Sequence, residues 1–216
     1  MIETTVLSAP AQTTKDRILD AAELLFADRG FDGTSLRMIT SEANVNLAAV
    51  NYHFQSKEAL LHAIYDRRAG PINRRRMELL DAIEASGEFV VERILDAFVR
   101  PVFELGVEVG HVPRLMMRLL YVETEGMFQH VFERHFRPVL LRFGVALRRA
   151  APHLSEQEMM WRVQFFIGSF AHVMAGGRVL KFVLKDEREA SPRDLIMRRL
   201  IRFAAAGIQA PKEIEA

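Results

Sequence analysis

Apolar residues recur at helical spacing almost from the start of the chain. Ile18, Ala21, Ala22, Leu25 and Phe26 fall on one helix face, and Thr13 followed by Asp16 makes a capping start for it. Gly30 is expected to end this first helix. Phe31-Asp32-Gly33-Thr34 reads as a tight connection, after which Thr34 or Ser35 caps a short second helix carrying Leu36, Ile39 and Ala43 inward. Asn44 stands where the chain must turn sharply, because Asn enters the left-handed region at little cost. Val45 then tucks into the core, and Asn46 caps a third helix from Leu47 to about Phe54, with Val50 and Phe54 inward. Ser56 and Glu58 open a long fourth helix through Leu60, Leu61 and Ile64.

The remainder contains long segments rich in Leu, Met, Ala, Arg and Glu, and almost nothing with the period of a strand. Gly70-Pro71, Ser86-Gly87, Gly110, Gly126 and Ala151-Pro152 interrupt them, which predicts about five more helices. Ser155 with Glu158 opens the penultimate helix, expected to reach about Val183. Ser191-Pro192-Arg193-Asp194 opens the last, expected to reach about Gly207. The pattern predicts an all-α protein of about nine helices. It divides into a flexible tail (1–12), a domain of three short helices (13–61) and a larger helical domain (62–216).

Composition narrows the function classes. Half of the 216 residues are apolar and 26% are charged, as in a folded, soluble protein. Cysteine is absent, so disulfides and thiolate metal sites are excluded, and a reducing compartment suits the chain. The first residues have neither a basic leader nor an apolar core, and no apolar run is long enough for a bilayer. Both point to a cytoplasmic protein with no membrane partner. Net charge is +1 and the first 57 residues are slightly acidic, so nucleic acid cannot be held by bulk potential. A few aimed donors, doubled in a dimer, would have to do it.

Two short helices around a sharp turn, the second ending in an aromatic run, have the layout of a helix-turn-helix. Residues 13–61 closely resemble the DNA-binding domain of the TetR family of regulators. The resemblance rests on Arg17-Ile18-Leu19-Asp20-Ala21-Ala22, Leu25-Phe26, Gly30, Thr34-Ser35, Ile39, Val45, Tyr52-His53-Phe54 and Ser56-Lys57-Glu58-Ala59-Leu60. It implies that Arg37 donates to a base or phosphate, that Leu47, Ala48 and Ala49 face the groove, and that Asn51, Tyr52, His53 and Lys57 lie near phosphates. Thr34, Ser35 and Asn46 complete the candidate DNA-binding set. The side-chain chemistry is suitable, since guanidinium reads guanine bidentately and Ala can lie against a thymine methyl. Packing is the competing role for Tyr52 and His53, and solvated charge for Arg37 and Lys57. Two positions depart from the family pattern: Asn44 stands where Gly is common, and Asn51 stands where the family has its Tyr.

Beyond residue 61 the chain carries a large inventory of aromatic residues and methionine. Phe98, Val102, Phe103, Met116, Met117, Leu120, Phe128, Phe132, Trp161, Phe165, Phe166 and Phe170 are candidates to line an effector pocket, with ordinary core as the alternative. Trp161, Gly168, His172 and Ala175 on the penultimate helix, with Ile196, Leu200 and Phe203 on the last, are candidates for a four-helix dimer seam. Gly168, Gly176 and Gly177 would allow close approach there. Stretches 35–41, 45–54, Arg118-Leu119-Leu120 and Trp161-Arg162-Val163-Gln164-Phe165 resemble a PsrA-type, fatty-acid-responsive subgroup. That implies a long-chain fatty acid or its coenzyme A thioester as effector. Arg118 or Arg178 would meet the acid group, with a surface role as the alternative.

Arg74-Arg75-Arg76 lies roughly 25–30 Å along the fourth helix from its start and reads as a solvated face. His130 and His135, with Glu133 between them, are five residues apart and so put their rings on different helix faces, which argues against a metal, and nothing calls for a cofactor. Together these expectations describe a homodimeric repressor released from a palindromic operator by an apolar effector. A DNA-binding protein indifferent to effectors is the alternative. An enzyme is disfavoured, because no G-x-S-x-G, HExxH, P-loop or dinucleotide fingerprint occurs.

Overall fold

The computed structural model describes residues 12–105, 111–174 and 193–212. Among them are ten helices and no strand: α1 (Thr14–Arg29), α2 (Leu36–Glu42), α3 (Leu47–Phe54), α4 (Lys57–Ser86), α5 (Val91–Glu104), α6 (Val112–Tyr121), α7 (Glu125–His135), α8 (Arg137–Ala150), α9 (Glu156–Met174) and α10 (Arg193–Gln209). The chain forms two compact units, 1–64 and 65–216, divided within α4. The expected tail falls almost entirely outside the described residues, as does the predicted stretch of the penultimate helix beyond Met174.

In the first unit each helix start carries its own side-chain cap. Thr13, Ser35 and Asn46 accept from the backbone N–H of Asp16, Met38 and Ala49, and the Ser56 hydroxyl accepts from Ala59 N–H at the head of α4. Such caps satisfy backbone donors that a helix start otherwise leaves open. Asn44 takes φ of 50°, as its turn required, and Gln55 closes α3 at φ of 61°. The core joins Ile18, Ala22 and Phe26 of α1 to Ile39 of α2, Val50 and Phe54 of α3, and Leu60 and Ile64 of α4.

The connection between α1 and α2 is held from below. Thr34 is 1% exposed and its hydroxyl donates to the carbonyls of Leu25 and Gly30. The Lys57 ammonium donates to the carbonyls of Phe31 and Thr34 at 2.9 and 3.0 Å and sits 4.1 Å from the centre of the Phe31 ring. A flexible ammonium with three donors suits two converging carbonyls.

The second unit corrects two expectations. Gly70-Pro71 does not interrupt the fourth helix, which runs through Pro71. Proline removes one backbone donor locally, but Ala69, Ile72, Arg76, Leu80 and Ile83 keep a single buried stripe in phase on both sides of it. Gly126 is likewise inside a helix, in the first turn of α7 behind the Thr124 cap. Among the described residues six helices follow α4, in keeping with the expected five or so. The core is built from α5, whose Val91, Ile94, Leu95, Phe98, Val99 and Val102 are buried, packed against α8 and α10, with α9 meeting α10, α8 and α6.

Two predictions test the local architecture. A Cβ on Gly33 would lie 2.4 Å from the Arg29 carbonyl oxygen, whereas one on Gly126 would meet nothing within 4 Å. Gly33→Ala should therefore cost about 1–3 kcal/mol in urea denaturation, while Gly126→Ala should be neutral or stabilise by up to about 1 kcal/mol. Lys57→Met keeps the stem but drops both charge-assisted hydrogen bonds. It should destabilise the first unit by about 1.5–3 kcal/mol, read by hydrogen exchange at the amides of 31–35.

Candidate functional site

The first unit presents one face on which polar and small apolar side chains have no structural duty. On α3, Leu47, Ala48 and Asn51 are exposed, Ala49 is half-buried, and Tyr52 is 83% exposed. Val50 and Phe54 of the same helix are buried and fix its roll, so Leu47, Ala48, Asn51 and Tyr52 necessarily point away from the core. Arg37 is exposed on the first turn of α2, where only its backbone carbonyl is engaged, by the Thr40 hydroxyl. His53 is half-buried; its ring lies edge-on to Tyr52 at 5.0 Å and tilted to Phe54 at 6.1 Å. The imidazole thus links the exposed ring to the buried one and limits how far Tyr52 can swing.

Other members of the expected set have internal work. Thr34 is a correction: its hydroxyl is committed to two carbonyls in the interior and cannot reach DNA from there. Lys57 is corrected in part, because two of its three donors hold the α1–α2 connection. Ser35 and Asn46 use their side-chain oxygens as caps, which leaves the Ser35 hydroxyl proton and the Asn46 amide donors facing solvent.

The second unit encloses a cavity of about 170 Å³. Eight of the expected residues line it: Phe98 and Val102 of α5, Met116, Met117 and Leu120 of α6, Phe128 and Phe132 of α7, and Phe170 of α9. The others lie elsewhere. Phe166 is buried in the core beside Phe98, and Phe103 packs against that core. Trp161 and Phe165 are exposed on α9. Arg118 does not line the cavity; its Nε lies 3.5 Å from a Glu123 carboxylate oxygen. Arg178 lies outside the described residues.

The polar part of the lining was missed by the sequence reading. It consists of Tyr65, Arg68, Asn73 and Arg76, all on α4. Arg76 overturns the solvated reading of the arginine run. It is 6% exposed, its Nε donates to the Phe98 carbonyl at 2.8 Å, and its guanidinium lies 3.8 Å from the Phe98 ring centre. Arg74 and Arg75 are exposed as expected, and Arg75 pairs with Glu78 and Glu104. The signal for Arg76 was in the pattern, since it falls in phase with Ala69, Ile72, Leu80 and Ile83. Burial pulls its pKa down to about 9, which leaves it a cation at neutral pH. Burial also pushes the Tyr65 phenol up, with Glu123 adding to the effect, so it stays a hydroxyl. His135, one of the residues weighed against a metal, is buried between the Tyr65 ring and Asp66.

A third feature is the outer face of α9 and α10. Trp161 and Phe165 stack on each other at 6.0 Å and are 56% and 65% exposed, and Phe203 of α10 is 70% exposed. His172 is exposed, Ile196 is half-buried, and a Cβ on Gly168 would meet nothing within 4 Å. Leu200 is a correction: it is buried in the unit's own core and cannot serve a partner. Ala175, Gly176 and Gly177 lie outside the described residues. Arg162 locks the two helices together. Its Nε donates to Glu158 and its Nη1 to the carbonyls of Gly207, Ile208 and Ala210 at the end of α10, where a cation also complements the helix dipole.

Comparison with known proteins agrees with this layout. Residues 18–64 match the model for bacterial regulatory proteins of the tetR family, and residues 96–207 match the tetracyclin repressor-like C-terminal domain. A probable HTH-type transcriptional regulator of Bacillus subtilis, YttP, is 45% identical over 49 residues, covering 23% of this chain and 24% of that protein. IcaR of Staphylococcus aureus, the HTH-type negative transcriptional regulator of the biofilm operon icaADBC, is 28% identical over 119 residues, covering 53% of this chain and 63% of IcaR. The chain thus spans less than two thirds of either relative. Among solved structures, Mycobacterium smegmatis AmtR superposes with a TM-score of 0.63 at 19% identity, covering 95% of this chain and 91% of AmtR. A tetR family transcription regulator from Shewanella sp. PV-4 gives 0.55 at 23% identity, covering 91% and 96%. These structures share the fold, and the relatives are regulators of transcription, not enzymes. With family models matching at both ends of the chain, the second over more than half its length, the protein belongs to the TetR family of bacterial regulatory proteins.

Proposed function

We propose that the chain is a ligand-responsive repressor that binds a palindromic DNA operator as a homodimer and is released by an apolar effector. The observation that carries the DNA-binding part is α3. Two buried side chains fix its orientation while Leu47, Ala48, Asn51 and Tyr52 stand free of any structural duty. In this reading α3 enters the major groove. Leu47, Ala48 and Ala49 meet base edges and methyl groups, Arg37 reaches a base or phosphate from α2, and Asn51 and Tyr52 hold the backbone, with His53 steadying Tyr52. Ser35 and Asn46 contribute their remaining donors, and Lys57 its third. The name of IcaR, a negative regulator, favours repression over activation.

Dimerisation is supported by the exposed Trp161, Phe165 and Phe203 on α9 and α10, with Gly168 leaving room for close approach and His172 at the margin. Such exposed aromatic area is what a four-helix seam would cover. Two copies would set recognition helices about 34–36 Å apart, one turn of DNA. An operator-bound regulator works in the cytoplasm, and no described helix is long and apolar enough to cross a membrane. The effector site is the cavity of the second unit. Its aromatic and methionine walls suit an apolar chain, a long-chain fatty acid or its coenzyme A thioester being the class that the PsrA-type resemblance implies. Effector binding would favour a state whose reading heads no longer match the operator.

The test is fluorescence anisotropy with DNA from the chain's own upstream region, titrated with oleate and oleoyl-coenzyme A at fixed salt. Release by either ligand is expected, and binding that neither disturbs would remove the effector part. Tyr52→Ala and Arg37→Ala should each weaken operator binding roughly 5- to 150-fold, equivalent to about 1–3 kcal/mol, with unchanged thermal stability. Wild-type affinity in both variants would remove α2 and α3 as the reading surface.

A further inference from the structure

The cavity lining combines apolar walls with guanidinium groups and contains no Asp or Glu among the described residues. Arg76 is the anomaly in it. A cation taken this far out of water ordinarily has a carboxylate beside it, because desolvating the charge is costly and a counter-ion offsets much of that cost. Here its protein partners are neutral: the Phe98 carbonyl, the Asn73 side-chain oxygen at 3.1 Å, and the face of the Phe98 ring. Desolvation is what lowers its pKa, with no opposing carboxylate. A guanidinium has five N–H donors, and these contacts use two of them on a residue that borders the cavity. Asn73 is itself anchored, donating to the His135 carbonyl at 2.7 Å, so the guanidinium is held in a fixed orientation before any guest arrives.

From this geometry we infer that the cavity takes a small amphipathic carboxylate as the free acid, its head group on Arg76 and its apolar body among Met116, Phe128 and Phe132. This rests on the cavity being the effector site and decides which chemical form of effector it accepts. A carboxylate offers two acceptors to a planar fork and supplies the missing negative charge. An ester or thioester carbonyl offers one neutral acceptor and leaves Arg76 uncompensated. Size points the same way. An engineered cavity of about 150 Å³ holds benzene, so 170 Å³ suits a body only slightly larger. Longer chains must displace the flexible side chains of Met116 and Met117 or extend through the opening.

Isothermal titration calorimetry tests this on the full-length wild-type protein with octanoate, dodecanoate and oleate, each against its methyl ester, and with oleoyl-coenzyme A. At least one acid should bind roughly 10- to 100-fold more tightly than its ester, the range of a charge-assisted hydrogen-bonded pair. Arg76→Gln should erase that preference, and Arg76→Lys should restore part of it. Equal binding of acids and esters would overturn the inference while leaving the cavity as an effector site. Failure of every acid and ester to bind would overturn both, whereas operator binding is read separately and stands on its own. The wild-type comparison of acid and ester decides the matter even if Arg76→Gln does not fold.

Discussion

A guanidinium buried in an apolar layer constrains how the second unit packs. Arg76 occupies a core position on α4, so its charge must be reached by oxygen atoms from within the unit. Phe98 supplies a carbonyl and a ring face, and Asn73 supplies an amide oxygen. Satisfying the cation in this way ties α4 to the middle of α5 and holds the aromatic cluster of Phe98, Phe143, Phe166 and Phe170 against the cavity wall. The hydrogen bonds meet its donor geometry but not its charge. That residual imbalance is what gives an otherwise apolar space its chemical preference.

The first unit divides its polar side chains between holding and reaching. Thr34 and Lys57 look like surface donors in the sequence, yet the α1–α2 connection consumes them, because carbonyls in a tight turn beneath a helix start have few other partners. What remains outside is sparse: Arg37, Asn51, Tyr52, the spare donors of Ser35, Asn46 and Lys57, and a few small apolar groups. The unit carries more acidic than basic residues, and the proposed pairing of two copies on one duplex would double these few groups. The exposed aromatic face of α9 and α10 is the surface that such pairing would use. Arg162 keeps it in shape by binding the free carbonyls at the end of α10.

Much of this architecture was legible in the residues themselves. The helix starts at Thr13, Asn46, Ser56 and Ser155, the left-handed turn at Asn44, and the inward Val50 and Phe54 all follow from local rules, because capping and one-sided burial act over a turn or two. Eight of the fourteen pocket candidates line the cavity, but spacing and size did not separate them from core residues such as Phe166. Local rules failed at Pro71, where a stripe of buried side chains on both sides outweighs one lost backbone bond. They failed again at Leu200, expected in a seam between copies but buried in the unit's own core.

What the sequence determined by itself, then, is the all-helical class, the helix-turn-helix and the outward face of α3, since each depends on residues near one another in the chain. Tertiary structure alone decided which polar groups are free. Whether Lys57 meets Phe31 and whether Arg76 meets Phe98 depend on contacts between segments more than twenty residues apart in the chain. For a charged side chain those contacts, and not its spacing, set whether it faces water, a carbonyl or a ligand.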